Sequence, residues 1–136
     1  NPTMNGVGPA AAMLKGGSLA KAWGSVRFSR DGGGVLTQTT GDKFGVTSYV
    51  YNAAAPTILE VNLRSTFTGY PVIVCNALSA IQSPNPSINR ASAAIDTTTN
   101  GAKIYVTVYD LTNTAIDMSI NSKTAGFSFA VFGYNV

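Results

Sequence analysis

The feature that most constrains this chain is a period of two. From Ala20 onward, Ala22, Gly24, Val26 and Phe28 alternate with Lys21, Trp23, Ser25 and Arg27. Such alternation places successive side chains on opposite faces of a pleated strand, whereas a helix repeats about every 3.6 residues. Phe44, Val46, Ser48 and Val50 alternate in the same way with Gly45, Thr47, Tyr49 and Tyr51. Further runs of this kind are Val35 to Thr40, Ile58 to Leu63, Val72 to Asn76, Asn89 to Ile95, Lys103 to Tyr109 and Phe127 to Tyr134. Ile116, Met118 and Ile120, set against Asp117 and Ser119, suggest one more.

Turn chemistry separates the runs. Arg30-Asp31-Gly32-Gly33-Gly34, Gly41-Asp42, Gly69-Tyr70-Pro71 and Asp110 to Thr114 are turn sequences, and Asn52 to Pro56 is a short linker. Thr99-Asn100-Gly101 carries the Asn-Gly hairpin signal. Residues 79–89 form the longest loop, because two prolines two positions apart forbid a regular strand there. No useful helical stripe occurs. The expected fold is therefore all-β, an antiparallel β-sandwich or jelly roll of about eight or nine short strands.

The Gly-, Ala- and Pro-rich residues 1–19 read as a lead-in from an upstream stalk, with a helical turn or two over Ala10 to Lys15. Residues 20–136 form the sandwich domain. The first residue is Asn1 and not Met, so the expectation is a piece of a longer protein.

Two runs are apolar or aromatic on both faces. In one, Ile104, Val106 and Val108 back onto Tyr105, Thr107 and Tyr109; in the other, Phe127, Phe129 and Val131 back onto Ala130, Phe132 and Tyr134. A sandwich strand needs only one apolar face. The second face calls for a covering loop, another subunit or a ligand. Charged residues are only 11% of the chain, against about 25% in an average domain. A monomer of this mass exposes roughly 6,700 Å², so a surface of Thr, Ser and Asn, partly covered by other copies, is expected. Tyr105, Tyr109, Phe132 and Tyr134 are the candidate interface residues.

Several chemistries are excluded. With no histidine, Ser-His-Asp and Cys-His nucleophilic catalysis and His-containing zinc sites cannot form. Cys75 is the only cysteine, so no intrachain disulfide forms, and its apolar run predicts a buried free thiol. Neither a phosphate loop nor a dinucleotide fingerprint occurs, and no cofactor or metal is expected. The nine Lys and Arg are scattered, without a nucleic-acid patch, and no apolar run approaches the roughly 18 residues of a membrane span. Of the acids, Asp31, Asp42, Asp96 and Asp110 read as turn residues, and Glu60 and Asp117 as solvent-facing strand positions. No general acid–base pair is recognisable among them, and the reading is non-enzymatic.

The aromatic residues are the richest material for binding. Trp23, Tyr49, Tyr51, Tyr70, Tyr105 and Tyr109 could stack on sugar rings, although packing within or between subunits is the competing use of each. Asn85, Asn89 and Arg90 lie in or beside the long proline loop, where rigid sandwiches carry function. The candidate ligand site is thus Asn85, Asn89, Arg90, Tyr105 and Tyr109.

Ala20-Lys21-Ala22-Trp23-Gly24-Ser25-Val26-Arg27-Phe28 resembles the A-[RK]-A-W-V-x-F opening of many tailed-bacteriophage fibre, spike and needle C-terminal domains, with Gly24 and Ser25 replacing the V-x pair. Counterparts of the family's later pieces are Gly32-Gly33-Gly34, Gly45 to Val50, Ile58 to Leu63, Phe67 to Val74 and Phe127 to Gly133. The resemblance implies a homotrimeric knob at the virion tail tip, extracellular when acting. Such a knob engages a host cell-surface glycan or envelope component and caps the fibre. The alternatives are a purely structural cap or decoration protein, and a carbohydrate-binding module of a bacterial enzyme.

Overall fold

The computed structural model describes residues 20–67, 70–78, 88–96 and 102–133. Eight strands make up the domain: β1 (Ala20–Arg30), β2 (Leu36–Phe44), β3 (Val46–Tyr51), β4 (Leu59–Leu63), β5 (Val72–Ala77), β6 (Ile88–Ile95), β7 (Lys103–Asp110) and β8 (Lys123–Phe132). They form two four-stranded sheets, a front sheet in the order β2-β1-β8-β5 and a back sheet in the order β3-β4-β7-β6. Every paired neighbour is antiparallel. The fold is the expected all-β sandwich.

The core is the inner row of each strand. Ala22, Val26, Phe28, Ala125, Phe127, Phe129 and Val131 of the front sheet meet Val46, Tyr49, Leu59, Val61, Leu63, Ile104, Val106 and Val108 of the back sheet, all buried. The ring of Tyr49 packs edge-on against Phe127 and Phe129, with centroids 6.3 and 6.4 Å away.

The chain passes from front to back sheet through one residue. Gly45 separates β2 from β3 with φ +71°, and a Cβ there would lie 2.7 Å from the Lys21 carbonyl oxygen. Only glycine combines that backbone with that approach.

Four expectations are corrected. Gly41-Asp42 does not turn: β2 runs straight through it, and the pairing with β1 shifts between Gly24 and Val26. The two residues form a β-bulge, an extra step absorbed opposite β1, so Asp42 is an exposed strand residue. A second shift between Val46 and Ser48 reverses the faces of β3, which buries Tyr49 and exposes Val50. Residues 116–120 form no strand. They contribute the buried side chains of Ile116 and Met118 and a turn in which the Asp117 carboxylate accepts from the Ser119 backbone N–H and hydroxyl. Asp117 is therefore a turn residue and not a strand position. Finally, Cys75 is a free thiol on the inner side of β5, half-buried and not fully enclosed; burial pushes its pKa up to about 11.

Candidate functional site

Strand register fixes what each sheet shows on its outer surface, because directly opposed residues share a face. On the front sheet, one row reads Phe44–Trp23–Ala130–Val74, and beside it Phe132 stands opposite Val72. The next row is Ser25–Ser128–Asn76, and then Thr39–Arg27–Gly126. The face therefore grades from aromatic and aliphatic at one end to hydroxyl and guanidinium at the other. Its apolar end is open to solvent: Trp23 is 41% exposed, Phe44 56%, Val74 48%, Val72 63% and Tyr70, just before β5, 83%. Trp23 and Phe44 stack with centroids 6.3 Å apart and planes 23° from parallel.

The bulge opens a shallow cavity of about 340 Å³ beside Arg27, lined by Ser25, Val26, Arg27, Thr39, Thr40, Gly41 and Leu78. A Cβ on Gly41 would collide with the Ser25 hydroxyl, which would have to rotate away. Across the cavity, β1 contributes Ser25 and Arg27 from the same side as Trp23.

The outer surface of the back sheet is built differently. Its rows are Val50–Glu60–Tyr105–Ala94, Ser48–Asn62–Lys103, Thr107–Ser92 and Tyr109–Arg90. Most of these polar groups find partners within the chain. Lys103 Nζ lies 3.1 Å from Glu60 Oε1, and this hydrogen bond holds the ammonium above its usual pKa. The Tyr105 hydroxyl donates to Asp96 Oδ2 at 3.0 Å, which raises the phenol. Asn62 Nδ2 donates to Ser48 Oγ at 2.9 Å. The Arg90 guanidinium sits 3.7 Å above the Tyr109 ring and donates through Nε to Asn113 Oδ1 at 2.9 Å. Asn113 adopts φ +64° in the turn after β7, where Asp110 Oδ1 accepts from the Thr112 hydroxyl and from the Thr112 and Thr114 backbone N–H groups. The Thr112 hydroxyl first, then the Thr114 N–H, hold the Asp110 carboxyl below its usual range.

The structure thus joins three residues of the expected ligand site. Arg90, Tyr105 and Tyr109 share the back sheet's outer face, and Asn89 lies on β6 beside Arg90. Asn85 and Tyr134 fall outside the described residues. Tyr105 and Tyr109 are half-buried by their own neighbours, and Phe132 belongs to the front sheet's apolar end. Of the other aromatic candidates, Tyr49 is in the core, and Tyr51 lies half-buried beneath the Arg30 guanidinium, 5.6 Å from its ring centroid. Sequence reasoning had Trp23 among its aromatic candidates. It missed the partners Phe44, Val72 and Val74, and the lining by Ser25, Arg27 and Gly41. Only the register brings them together. The available signal was a tryptophan at a polar position of the alternation.

The acids serve local structure. Asp31 Oδ1 accepts from the Gly33 and Val35 N–H groups, and Asp110 and Asp117 cap turns in the same way. Glu60 and Asp96 hold Lys103 and Tyr105. Among the described residues no group of three His, Cys, Asp or Glu side chains could hold a metal ion, and no helix is long and apolar enough to cross a membrane. Comparisons of the chain with family models, curated proteins and solved structures return no match.

Proposed function

We propose that this domain is a non-enzymatic assembly and recognition module, a homotrimeric knob at the tip of a bacteriophage tail fibre, spike or needle. Its front sheet would serve both purposes. The apolar end, Val72, Val74, Phe132 and Tyr70, would pack against neighbouring copies, and the polar end would face the host cell surface. The observation that carries this reading is the exposure of that apolar end on a sheet whose opposite number is closed by its own polar contacts. Contiguous exposed apolar surface of this kind marks interaction sites. The motif resemblance over most of residues 20–134, outside 79–100, supplies the fibre-tip context, and the scarcity of charge suits a surface shared between copies. The absence of histidine, and the engagement of five of the six acids in turns or pairs, support a binding role over catalysis.

Sedimentation equilibrium of the chain at micromolar concentration tests the proposal. A species of three times the 14.1 kDa chain mass is expected. A single chain at every concentration would refute it.

A further inference from the structure

The geometry points to a carboxylate-bearing saccharide as the ligand of the front sheet, seated in the bulge cavity and stacked on Trp23. This rests on the reading of the front sheet as the recognition face and names the ligand class of that face. Four observations converge on it.

The first is shape. Trp23, Ser25 and Arg27 occupy alternate positions on one side of β1, a span of about 13 Å that suits a short oligosaccharide. The second is the aromatic ledge. Trp23, braced by its stack on Phe44 and 41% exposed, offers a flat apolar surface beside the cavity. Pyranose rings present a face of C–H bonds that packs on such a surface, with their hydroxyls at the rim. The third is the lining. Ser25 and Thr39, on the outer face, bring hydroxyls that can donate and accept, which the rim of a sugar ring demands.

The fourth observation selects an acidic sugar. The strands of the front sheet carry five basic residues, Lys21, Arg27, Arg30, Lys43 and Lys123, against one acid, Asp42. Those of the back sheet balance Arg90 and Lys103 against Glu60 and Asp110. Lys43 sits opposite the inward Gly24 and over the Tyr49 ring, and Arg30 and Lys123 share the parity of the buried Phe28 and Ala125, so the outer face itself carries Lys21 and Arg27 and no acid among its β1, β5 and β8 positions. Arg30 is already committed, donating from Nε to the Met118 carbonyl and from Nη1 to the Gly34 carbonyl. Arg27 lines the cavity with no hydrogen-bond or ion-pair partner among the described residues. A half-buried guanidinium whose fork is unfilled is suited to bidentate binding of a carboxylate. Asp42 lies in the bulge but does not line the cavity.

Trp23 is the only tryptophan, so its fluorescence reports on this site alone. The test is to titrate the full chain with trigalacturonate and with sialyllactose, each beside its carboxyl methyl ester, up to millimolar concentration. At least one of the acids should change the emission saturably, and its ester should bind about tenfold more weakly, the loss of one charge-assisted contact. Arg27→Gln should remove the preference for the acid. Gly41→Ala, which adds a methyl on the β2 side of the cavity, should weaken binding, and Ser92→Ala on the other sheet should leave it unchanged. Silent emission with both acids, equal affinity for acid and ester, or full binding by Arg27→Gln would overturn the inference. Failure here with a trimeric chain leaves the assembly reading standing; a monomeric chain that still binds the acid fails assembly alone.

Discussion

The two outer faces of this sandwich come from similar strands and end in opposite conditions. β7 and β8 each carry apolar or aromatic residues on both sides, which predicts that each outer side needs a neighbour. On the back sheet the neighbours are already present: Asp96 and Glu60 flank Tyr105, and Arg90 covers Tyr109 at 3.7 Å. On the front sheet Ala130 and Phe132 of β8 lie between Trp23 and the exposed valines of β5, and none of the described residues covers that row. The difference teaches that an aromatic outer face is not in itself a binding face. What decides is whether the adjacent strand offers a partner at the matching register, and β6 offers Arg90 where β5 offers Val72 and Val74.

The comparison can be broken at its origin, the corner that makes two sheets from one chain. Gly45→Ala must hold φ +71° and press a methyl against the Lys21 carbonyl. A loss of about 3 kcal/mol is expected from strain and collision together, measured by chemical denaturation. Unchanged stability would mean that the corner rearranges freely.

A second pair of changes sharpens the inner boundary of the front sheet. The Tyr49 hydroxyl is buried without a hydrogen-bond partner among the described residues, and desolvation pushes its pKa up to about 12. A Cβ on Gly24 would collide with that hydroxyl. Gly24→Ala should cost about 2 kcal/mol, whereas Tyr49→Phe should stabilise the fold by about 1 kcal/mol, since it removes an unpaired polar atom. In the double variant the two effects should not add, because the phenylalanine vacates the space the alanine needs. Strict additivity in a double-mutant cycle would contradict this packing.

Smaller effects belong to the turns. Asp110 and Asp117 have lowered carboxyl pKa values, through the Thr112 and Ser119 hydroxyls first and backbone N–H groups second. A carboxyl lowered on folding contributes stability that is present above its unfolded pKa and lost as pH falls through the folded value. Thermal midpoints should therefore decline as pH drops from the ordinary carboxylate range toward strong acid. Asp110→Asn with Asp117→Asn should flatten that decline; an identical pH profile for the double variant would exclude these turns as its source. The smallest effect is at the back sheet's ion pair, where Glu60→Gln should cost about 0.5 kcal/mol, and less in high salt.

Much of the fold was legible in the sequence because its signals are local. The alternation of β1, β7 and β8 and the turn residues around Asp31 and Asp110 each follow from a few adjacent residues. The errors came where one strand's geometry depends on another. Gly41-Asp42 looks like a turn, but the β1–β2 pairing continues across it and makes it a bulge. Tyr49 looks outward by parity until the shift beside Val46 turns it into the core. Ile116 and Met118 have the spacing of a strand, yet their backbone N–H groups bond to Val108 and Pro56 and no ladder forms. The candidate site suffered most, since it consists of residues from β1, β2, β5 and β8 whose juxtaposition is a matter of register. Trp23, Tyr70 and Phe132 were the parts visible in advance.

In the proposed assembly the front sheet, and not the back, is the working face. Light scattering on two matched variants tests it most directly: Val74→Asp on the front sheet and Ser92→Asp on the back, both exposed strand positions. The wild-type chain and Ser92→Asp should scatter as three chains of 14.1 kDa, and Val74→Asp as one. A wild type that scatters as one chain, or a Val74→Asp variant that keeps the mass of three, would contradict the claim.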